Sequence, residues 1–250
     1  MSNEGVQGGQ VPISLDGKHV DITCPEKIYW KYVQKVAPLH DSRSSSLPGS
    51  IVKALQNIQD CKTVLDVCGG TGRIARYLIH SGHDVKVVDL SEDMLRIARR
   101  RGLDVDVQDA RDLKELSNSW DAVICLGNSL GGIPSRAGRM KAIQEMARVS
   151  RKRVIIDCTN QLYDFVRTWL PMHVRKLVGC YRPGLRLRKD VVTGTNPGDI
   201  IWHDRDLDGV LYHYVYNALG LRNEMARAGL VVKFVNNILS RRVVLVGVKR

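Results

Sequence analysis

The segment Val64-Leu65-Asp66-Val67-Cys68-Gly69-Gly70-Thr71-Gly72 contains the strongest structural signal in this chain of 250 residues. Its apolar start predicts a buried strand from Thr63 to Val67, and its glycines predict a sharp turn into a helix that begins near Gly72. Small residues in such a turn let backbone N–H groups approach a ligand, and the helix N-terminus adds partial positive charge. The segment therefore predicts a ligand site between a strand and a helix.

An acidic residue follows the next strand. Val85 to Val88 is apolar and leads into Asp89, nineteen positions after Gly70. In a strand–turn–helix–strand unit of this length, the carboxylate lies at the tip of the neighbouring strand, where it can accept hydrogen bonds from both hydroxyls of a ribose. The alternative is a turn that only packs the strand against the helix. The motif and its acidic partner together favour a nucleoside-cofactor site.

The choice of nucleoside depends on Asp66. Gly70 to Ala75 matches the dinucleotide pattern G-x-G-x-x-G/A, but a single match of this kind is a weak signal. A carboxylate at Asp66 would crowd a pyrophosphate, whereas it suits S-adenosylmethionine, which has an ammonium group and no phosphate. The segment resembles the first motif of the class I S-adenosylmethionine-dependent methyltransferases, usually Asp-x-Gly-x-Gly-x-Gly. Cys68 stands where the family usually has its first glycine.

Two later segments follow in the family's order. Val105 to Ala110 predicts a third strand that ends at Asp109, and Trp120 to Leu126 predicts a fourth, because continuous apolar runs are typical of strands buried on both faces. Cys125 to Leu130 resembles the corresponding stretch of glycine N-methyltransferase-like small-molecule methyltransferases. Asp109 alone could equally cap a helix from Arg111 to Leu116. Because Asp109 follows the other motifs in the family's order, the ligand role is favoured for it.

The resemblance implies a cofactor site built from several loops. In it Asp66 and the glycine turn would hold the methionine part, Asp89 the ribose, and Asp109 with the Ala110 N–H the adenine. Met94 would pack on the adenine face, and Arg43 matches the position of an arginine that binds the cofactor carboxylate in the family. The residues assigned to this site are Arg43, Asp66, Cys68, Gly70, Gly72, Asp89, Leu90, Met94, Asp109, Ala110, Leu126 and Gly127.

Methyl transfer from a sulfonium is an in-line displacement that mainly needs aligned reactants and exclusion of water. It requires neither a metal nor a covalent nucleophile, so no metal site is expected. Asn128 is assigned to the wall beside the sulfonium. A hydroxyl acceptor would also need a general base, for which His40, His203 and His213 are the candidates, and for each of them a structural role is favoured over a catalytic one.

Composition narrows the class of protein. Hydrophobic residues make up 44% and charged residues 26% of the chain, which is ordinary for a globular domain. No stretch approaches the ~20 apolar residues that span a bilayer, and the polar start from Met1 to Gln10 does not resemble a signal peptide, so we expect a cytoplasmic protein without a membrane partner. The six scattered cysteines include no Cys-x-x-Cys pair, which argues against zinc sites and disulfides.

The alternation of strands and helices predicts an α/β fold with a doubly wound, Rossmann-like sheet of seven strands, mostly parallel with an antiparallel last strand. Residues 1–250 are predicted to form one such domain. Its first part, 1–60, should contain a hairpin and helices. The elements expected there are a hairpin from Val11 to Ile22, a helix from Pro25 to Val36, a loop from Asp41 to Ser50 and a helix from Ile51 to Ile58.

Later elements have clear boundaries. The helix after Asp89 should be capped by Ser91 and closed by Gly102. The others are a helix after Pro134 that buries Met140, Ile143 and Ala147, a strand from Arg153 to Cys158, a helix from Leu221 to Ala228 and strands from Leu230 to Val235 and from Val243 to Val248. The final helix and strand pair also resemble the end of the class I methyltransferase domain.

Residues 161–217 interrupt this plan and are predicted to be an insertion rich in aromatic residues. Tyr212, Tyr214 and Tyr216 alternate, so on a strand they would share one face, opposite His213. One interpretation is that these aromatic residues pack the insertion onto the body of the domain. The other is that the insertion forms a cap over the methyl acceptor.

Three functions are consistent with the sequence. The first is a methyltransferase that acts on a small molecule, at nitrogen, with the insertion enclosing the acceptor. The second is an RNA methyltransferase, because the net charge is +12 and one segment is basic. That cluster comprises Arg175, Lys176, Arg182, Arg186, Arg188 and Lys189. The third is a cofactor-binding scaffold without activity, which turnover by the isolated chain would exclude. The acceptor and the oligomeric state cannot be read from the sequence.

Overall fold

A computed structural model describes residues 12–15, 18–21, 28, 47–160, 186–188, 191–193, 198–204 and 209–249. Several predictions lie outside these residues, among them Arg43, His40, the helix from Pro25 to Val36 and most of the basic cluster. The N-terminal hairpin is confirmed, since β1 (Pro12–Leu15) pairs antiparallel with β2 (Lys18–Asp21). Among the described residues, no helix is both long and apolar enough to cross a membrane.

The central sheet has seven strands, as predicted. These are β3 (Thr63–Val67), β4 (Asp84–Asp89), β5 (Asp104–Val107), β6 (Trp120–Cys125), β7 (Ser150–Thr159), β12 (Leu230–Phe234) and β13 (Arg242–Lys249). Their order is β12-β13-β7-β6-β3-β4-β5. The strands from β3 to β7 pair in parallel, whereas β13 runs antiparallel to β7 and β12 antiparallel to β13. The parallel strands therefore all end at the same edge.

Helices cover both faces of this sheet. They are α1 (Gly49–Leu55), α2 (Arg73–His80), α3 (Glu92–Arg100), α4 (Arg136–Val149) and α5 (Ala218–Arg227). One hydrophobic cluster joins Leu65 and Val67 of β3 to α4 and α5, and another joins Val64 to α1, α2 and α3. Because side chains alternate along a strand, successive residues of β3 enter opposite layers of the core. The doubly wound α/β prediction is confirmed.

The helix ends follow local chemistry. The Ser91 side chain accepts a hydrogen bond from the Met94 N–H at the start of α3, as predicted. The predicted loop from Asp41 to Ser50 is wrong at its end, because α1 begins at Gly49, where the Pro48 carbonyl accepts from the Ile51 N–H. Met140 is only half-buried, since it lies at the margin of the α4 face that buries Ala142 and Ile143.

A second, antiparallel sheet lies in the stretch predicted as an insertion. It contains β8 (Arg186–Arg188), β9 (Val191–Thr193), β10 (Asp199–Asp204) and β11 (Gly209–Tyr214), in the order β11-β10-β9-β8. Tyr212 and Tyr214 lie on β11, but Tyr216 does not, which corrects the three-tyrosine strand. Tyr216 instead forms an isolated bridge with Asn160, and its N–H donates to the Thr159 carbonyl at the end of β7.

Candidate functional site

A cavity of about 270 Å³ lies at the carboxyl edge of the parallel strands. Its lining comes from the segments that follow β3, β4, β5 and β6, with one residue from β11 and one from β13. Eleven of the residues assigned from the sequence line it. They are Cys68, Gly70, Asp89, Leu90, Met94, Asp109, Ala110, Leu126, Gly127, Asn128 and His213. Asp66 and Gly72 lie outside the lining, Arg43 lies outside the described residues, and His203 is described only as a backbone position of β10.

The turn after β3 depends on its glycines. Gly70 has a φ of +58°, a left-handed conformation that side chains disfavour, and a Cβ built there would lie 3.4 Å from the Met94 Sδ. A Cβ at Gly69 would lie only 2.7 Å from the Asp66 Cγ, so this position also needs glycine. Gly72 is buried against Leu103, and its N–H donates to the Gly69 carbonyl. Gly72 therefore shapes the turn from below the cavity.

Asp89 is fixed at the tip of β4 by two backbone donors. Its Oδ2 accepts from the Gly70 N–H and its Oδ1 from the Ser91 N–H, each at 2.9 Å. Burial raises the pKa of Asp89, and these backbone hydrogen bonds oppose the rise. Each carboxylate oxygen can still accept a further hydrogen bond. The geometry therefore presents two aligned acceptors to the cavity, the arrangement that a ribose diol needs.

Asp66 lies beneath the glycine turn instead of facing the cavity. Its side chain is buried, and neither carboxylate oxygen has a hydrogen-bond partner within the part of the chain that the structure describes. Burial, together with the nearby Asp89 charge, raises the pKa of Asp66 to about 7. An unpartnered carboxylate in the interior is costly, and a cation nearby would lower that cost.

The segment after β5 forms the next part of the cavity wall, and the predicted end of β5 at Asp109 is wrong. β5 ends at Val107, so Asp109 follows the strand by two residues. Asp109 caps no helix, because residues 109–112 form a turn in which the Asp112 N–H donates to the Asp109 carbonyl. The Arg111 guanidinium donates to both carboxylate oxygens at 2.7–3.0 Å. Although burial opposes the effect, these hydrogen bonds hold the pKa of Asp109 below its ordinary value.

Asn128 and His213 meet on the other side of the glycine turn. The Asn128 N–H donates to the Asp157 Oδ1 at 2.8 Å, and its side-chain oxygen accepts from the Thr159 N–H at 2.7 Å. The remaining amide nitrogen contacts the His213 Nε2. Burial, reinforced by the Arg139 charge, lowers the pKa of His213 to about 4, so its imidazole is neutral at pH 7. The two predicted residues therefore form one fixed, uncharged pair.

A buried arginine attaches the second sheet to the domain. The Arg139 guanidinium lies 3.6 Å from the Tyr214 ring centroid and donates to the Ile133 carbonyl at 3.1 Å. The guanidinium also donates to the Tyr212 hydroxyl at 3.2 Å. This hydroxyl in turn donates to the Asp199 carboxylate at 2.7 Å. Neither tyrosine lines the cavity. For these described residues the contacts support the packing interpretation, and the aromatic cap stays a prediction.

Sequence reasoning missed Arg242, which also lines the cavity. Its Nε lies 3.3 Å from the Oδ2 of Asp157, a fully buried residue of β7. Because β13 runs antiparallel to its neighbour, its first residue lies at the edge where the parallel strands end. That topology was predicted, so the position of Arg242 could have been found from it.

The chain resembles known methyltransferases in sequence and fold. The family described as "Methyltransferase domain" matches residues 64–153. Glycine/sarcosine N-methyltransferase from Aphanothece halophytica is 33% identical over 132 residues, which cover 50% of this chain and 49% of that protein. A dTDP-3-amino-3,6-dideoxy-alpha-D-glucopyranose N,N-dimethyltransferase from Streptomyces fradiae is 38% identical over 87 residues, 34% of each chain. The matches thus span half or less of these relatives.

The fold comparison covers more of the chain. The CcbJ methyltransferase from Streptomyces caelestis aligns with a TM-score of 0.62 and 16% identity, over 88% of this chain and 98% of that one. At this identity the likeness concerns the fold alone. The matched domain includes the glycine turn, Asp89, Asp109 and the segment after β6. Residues 64–153 therefore match the methyltransferase-domain family, and the chain shares the fold of the CcbJ methyltransferase.

Proposed function

We propose that this chain transfers a methyl group from S-adenosylmethionine to the nitrogen of a small molecule. The observation on which the proposal rests is the Asp89 carboxylate, held by two backbone N–H groups at the tip of β4 and facing a cavity beside the glycine turn. The matched relatives named as N-methyltransferases support transfer to nitrogen.

The residues present fit this cofactor. Asp66 lies beneath the turn with a pKa of about 7, and a bound cofactor with a sulfonium and an ammonium group would favour its charged form. Asp89 would bind the ribose, and the backbone of the glycine turn the methionine part. Met94, Asp109 and Ala110 line the wall beyond Asp89 and would surround the adenine. S-adenosylmethionine, when bound, supplies an electrophilic methyl group.

The neutral Asn128–His213 pair favours an amine acceptor over a hydroxyl. A hydroxyl acceptor would need a base of suitable pKa within hydrogen-bond reach. His213, with a pKa of about 4, is a weak base, and its Nε2 contacts the Asn128 amide. A neutral amine attacks without such help and needs only a polar group that orients it. Leu126 and Ile133 in the lining would exclude water from the reacting atoms.

Replacement of Asp89 tests the cofactor site. Asp89→Ala removes two aligned acceptors, and the loss of charge-assisted hydrogen bonds should weaken S-adenosylmethionine binding roughly tenfold or more in an isothermal titration. Asp84→Ala is the matched control, because Asp84 begins the same strand at the opposite edge and is exposed. Unchanged affinity in Asp89→Ala, or an equal loss in both variants, would contradict the assignment.

The net charge of +12 favours a second candidate, transfer to RNA. A basic surface that binds RNA releases counterions, so affinity should fall steeply as salt increases. Filter binding of a total RNA preparation at 50 and 200 mM salt would measure this. Binding that is weak at both concentrations would exclude the second candidate.

A further inference from the structure

Arg242 occupies the end of the cavity farthest from the residues assigned to adenine. Five strand spacings separate β13 from β5 in the sheet order, which corresponds to about 24 Å at ~4.8 Å per spacing. Asp109 follows β5, whereas Arg242 begins β13, and both residues line the same cavity. With adenine and ribose at the first end, the second end is the place that remains for the methyl acceptor.

The guanidinium of Arg242 is held in place and still available. Its Nε pairs with the buried Asp157 carboxylate at 3.3 Å, and its side chain is 33% exposed. Among the described residues, this ion pair is the side-chain contact that Arg242 makes, and it leaves the two terminal nitrogens of the guanidinium for a ligand. The planar fork of an arginine matches carboxylate and phosphate groups and can bind both oxygens of one group at once.

One buried carboxylate connects this cation to the residues assigned to the amine. Asp157 accepts from the Asn128 N–H through Oδ1 and pairs with Arg242 through Oδ2. Asn128 in turn contacts His213, which is uncharged at pH 7. The carboxylates that line the cavity, Asp89 and Asp109, belong to the opposite end. The acceptor end thus presents neutral polar groups beside the Arg242 guanidinium, whose charge the Asp157 carboxylate partly balances.

We propose that Arg242 binds an anionic group of the methyl acceptor, so that the substrate is a small amine that also contains a carboxylate or a phosphate. This inference rests on the proposed function and specifies its substrate class. A carboxylate and a phosphate share the chemistry that the guanidinium recognises, and the experiment separates them.

Fractionation of natural acceptors provides the test. Small molecules from a cell extract are passed over a strong anion exchanger at pH 10.5, where most primary amines are uncharged and only molecules with an anion are retained. The retained and unretained fractions are neutralised and incubated with the full chain and radiolabelled S-adenosylmethionine. We expect the label in the retained fraction. Treatment of that fraction with alkaline phosphatase before the reaction should abolish labelling if the anion is a phosphate ester and leave it unchanged if it is a carboxylate.

Variants then connect this preference to Arg242. Arg242→Gln should lower the labelling rate at limiting retained fraction at least tenfold, and a higher amount of the fraction should restore part of it. Arg242→Lys should lose less, because it keeps the charge. Asp157→Asn/Arg242→Gln removes the charge that the single variant leaves buried, so it separates loss of recognition from loss of folding. Cofactor affinity, measured by titration, should stay within about twofold in all three variants.

Two results would overturn the assignment of Arg242. One is label confined to the unretained fraction, and the other is an unchanged labelling rate in Arg242→Gln and in the double variant. Failure of the proposed function gives a different result, since the unmodified chain would then neither bind S-adenosylmethionine nor label any fraction.

Discussion

Asp66 and Asp89 lie at the ends of adjacent strands, yet their carboxylates differ in the hydrogen bonds that they accept. Asp89 accepts two backbone hydrogen bonds, whereas Asp66 accepts none from the described residues and lies beneath the turn. The resemblance to the methyltransferase family predicted Asp66 as a ligand of the methionine part and Asp89 as the ligand of the ribose. It could not show which carboxylate faces the cavity, since that depends on how closely Gly69 packs on the Asp66 side chain.

Asp66→Asn should change the pH dependence of stability. The folded protein holds the Asp66 proton up to about pH 7, whereas the unfolded chain releases it near pH 4. Unfolding is therefore favoured as pH rises from about 4 to 7, and the asparagine variant should lack this loss. In urea denaturation, the free energy of unfolding of the variant minus that of the unmodified protein should increase by roughly 1–3 kcal/mol between pH 5 and pH 8. A constant difference between the two proteins would contradict the raised pKa.

His213→Gln should affect the acceptor and spare the cofactor. The substitution removes the imidazole that contacts Asn128, so kcat/KM for the acceptor should fall roughly tenfold while S-adenosylmethionine affinity stays constant. The unmodified enzyme should show no inflection from this histidine between pH 6 and 8, because its pKa is about 4. His80→Gln, on the exposed end of α2, is the control. A pH profile that loses an inflection near 6.5 in His213→Gln would show a general base instead.

At the scale of elements, local sequence signals predicted most of the sheet and its helices. β3 has the predicted bounds, and α3 begins after Ser91 as its capping pattern indicated. The predicted end of β5 is wrong because there a side-chain hydrogen bond takes the place of strand pairing by the backbone. Asp109 was expected to end β5, but it accepts from Arg111 and closes a turn instead. Such local side-chain hydrogen bonds compete with regular structure, and the strand pattern does not reveal them.

Tyr214→Ala should weaken the attachment of the second sheet. The substitution removes the ring that covers the buried Arg139 guanidinium, and we expect a loss of about 2–4 kcal/mol in the free energy of unfolding. Tyr214→Phe retains the ring and should lose much less. Tyr77→Ala serves as the control, since Tyr77 is exposed on α2. Unchanged stability in Tyr214→Ala, measured by chemical denaturation, would show that the cation–π contact does not hold the sheet in place.

At the scale of the whole molecule, the order and direction of the strands bring the residues of the cavity together. Parallel strands end together, so segments distant in sequence meet at one edge, as expected for a doubly wound sheet. The cofactor side of the cavity was predictable because its residues lie in a single continuous region with recognisable spacing. On the acceptor side, the predicted antiparallel last strand implied the position of Arg242 but not its pairing with Asp157, because Arg242, Asp157 and His213 come from three separate parts of the chain. Only tertiary structure brings these three residues together.

The most direct test of the account is incorporation of label from radiolabelled S-adenosylmethionine into a whole-cell extract by the isolated chain. The extract is separated afterwards into small-molecule, RNA and protein fractions, and the Asp89→Ala variant is run in parallel at limiting cofactor. We expect label in the small-molecule fraction, with roughly tenfold less in the Asp89→Ala variant. Label in RNA or protein would contradict the proposed acceptor class, and label in no fraction would contradict methyl transfer itself.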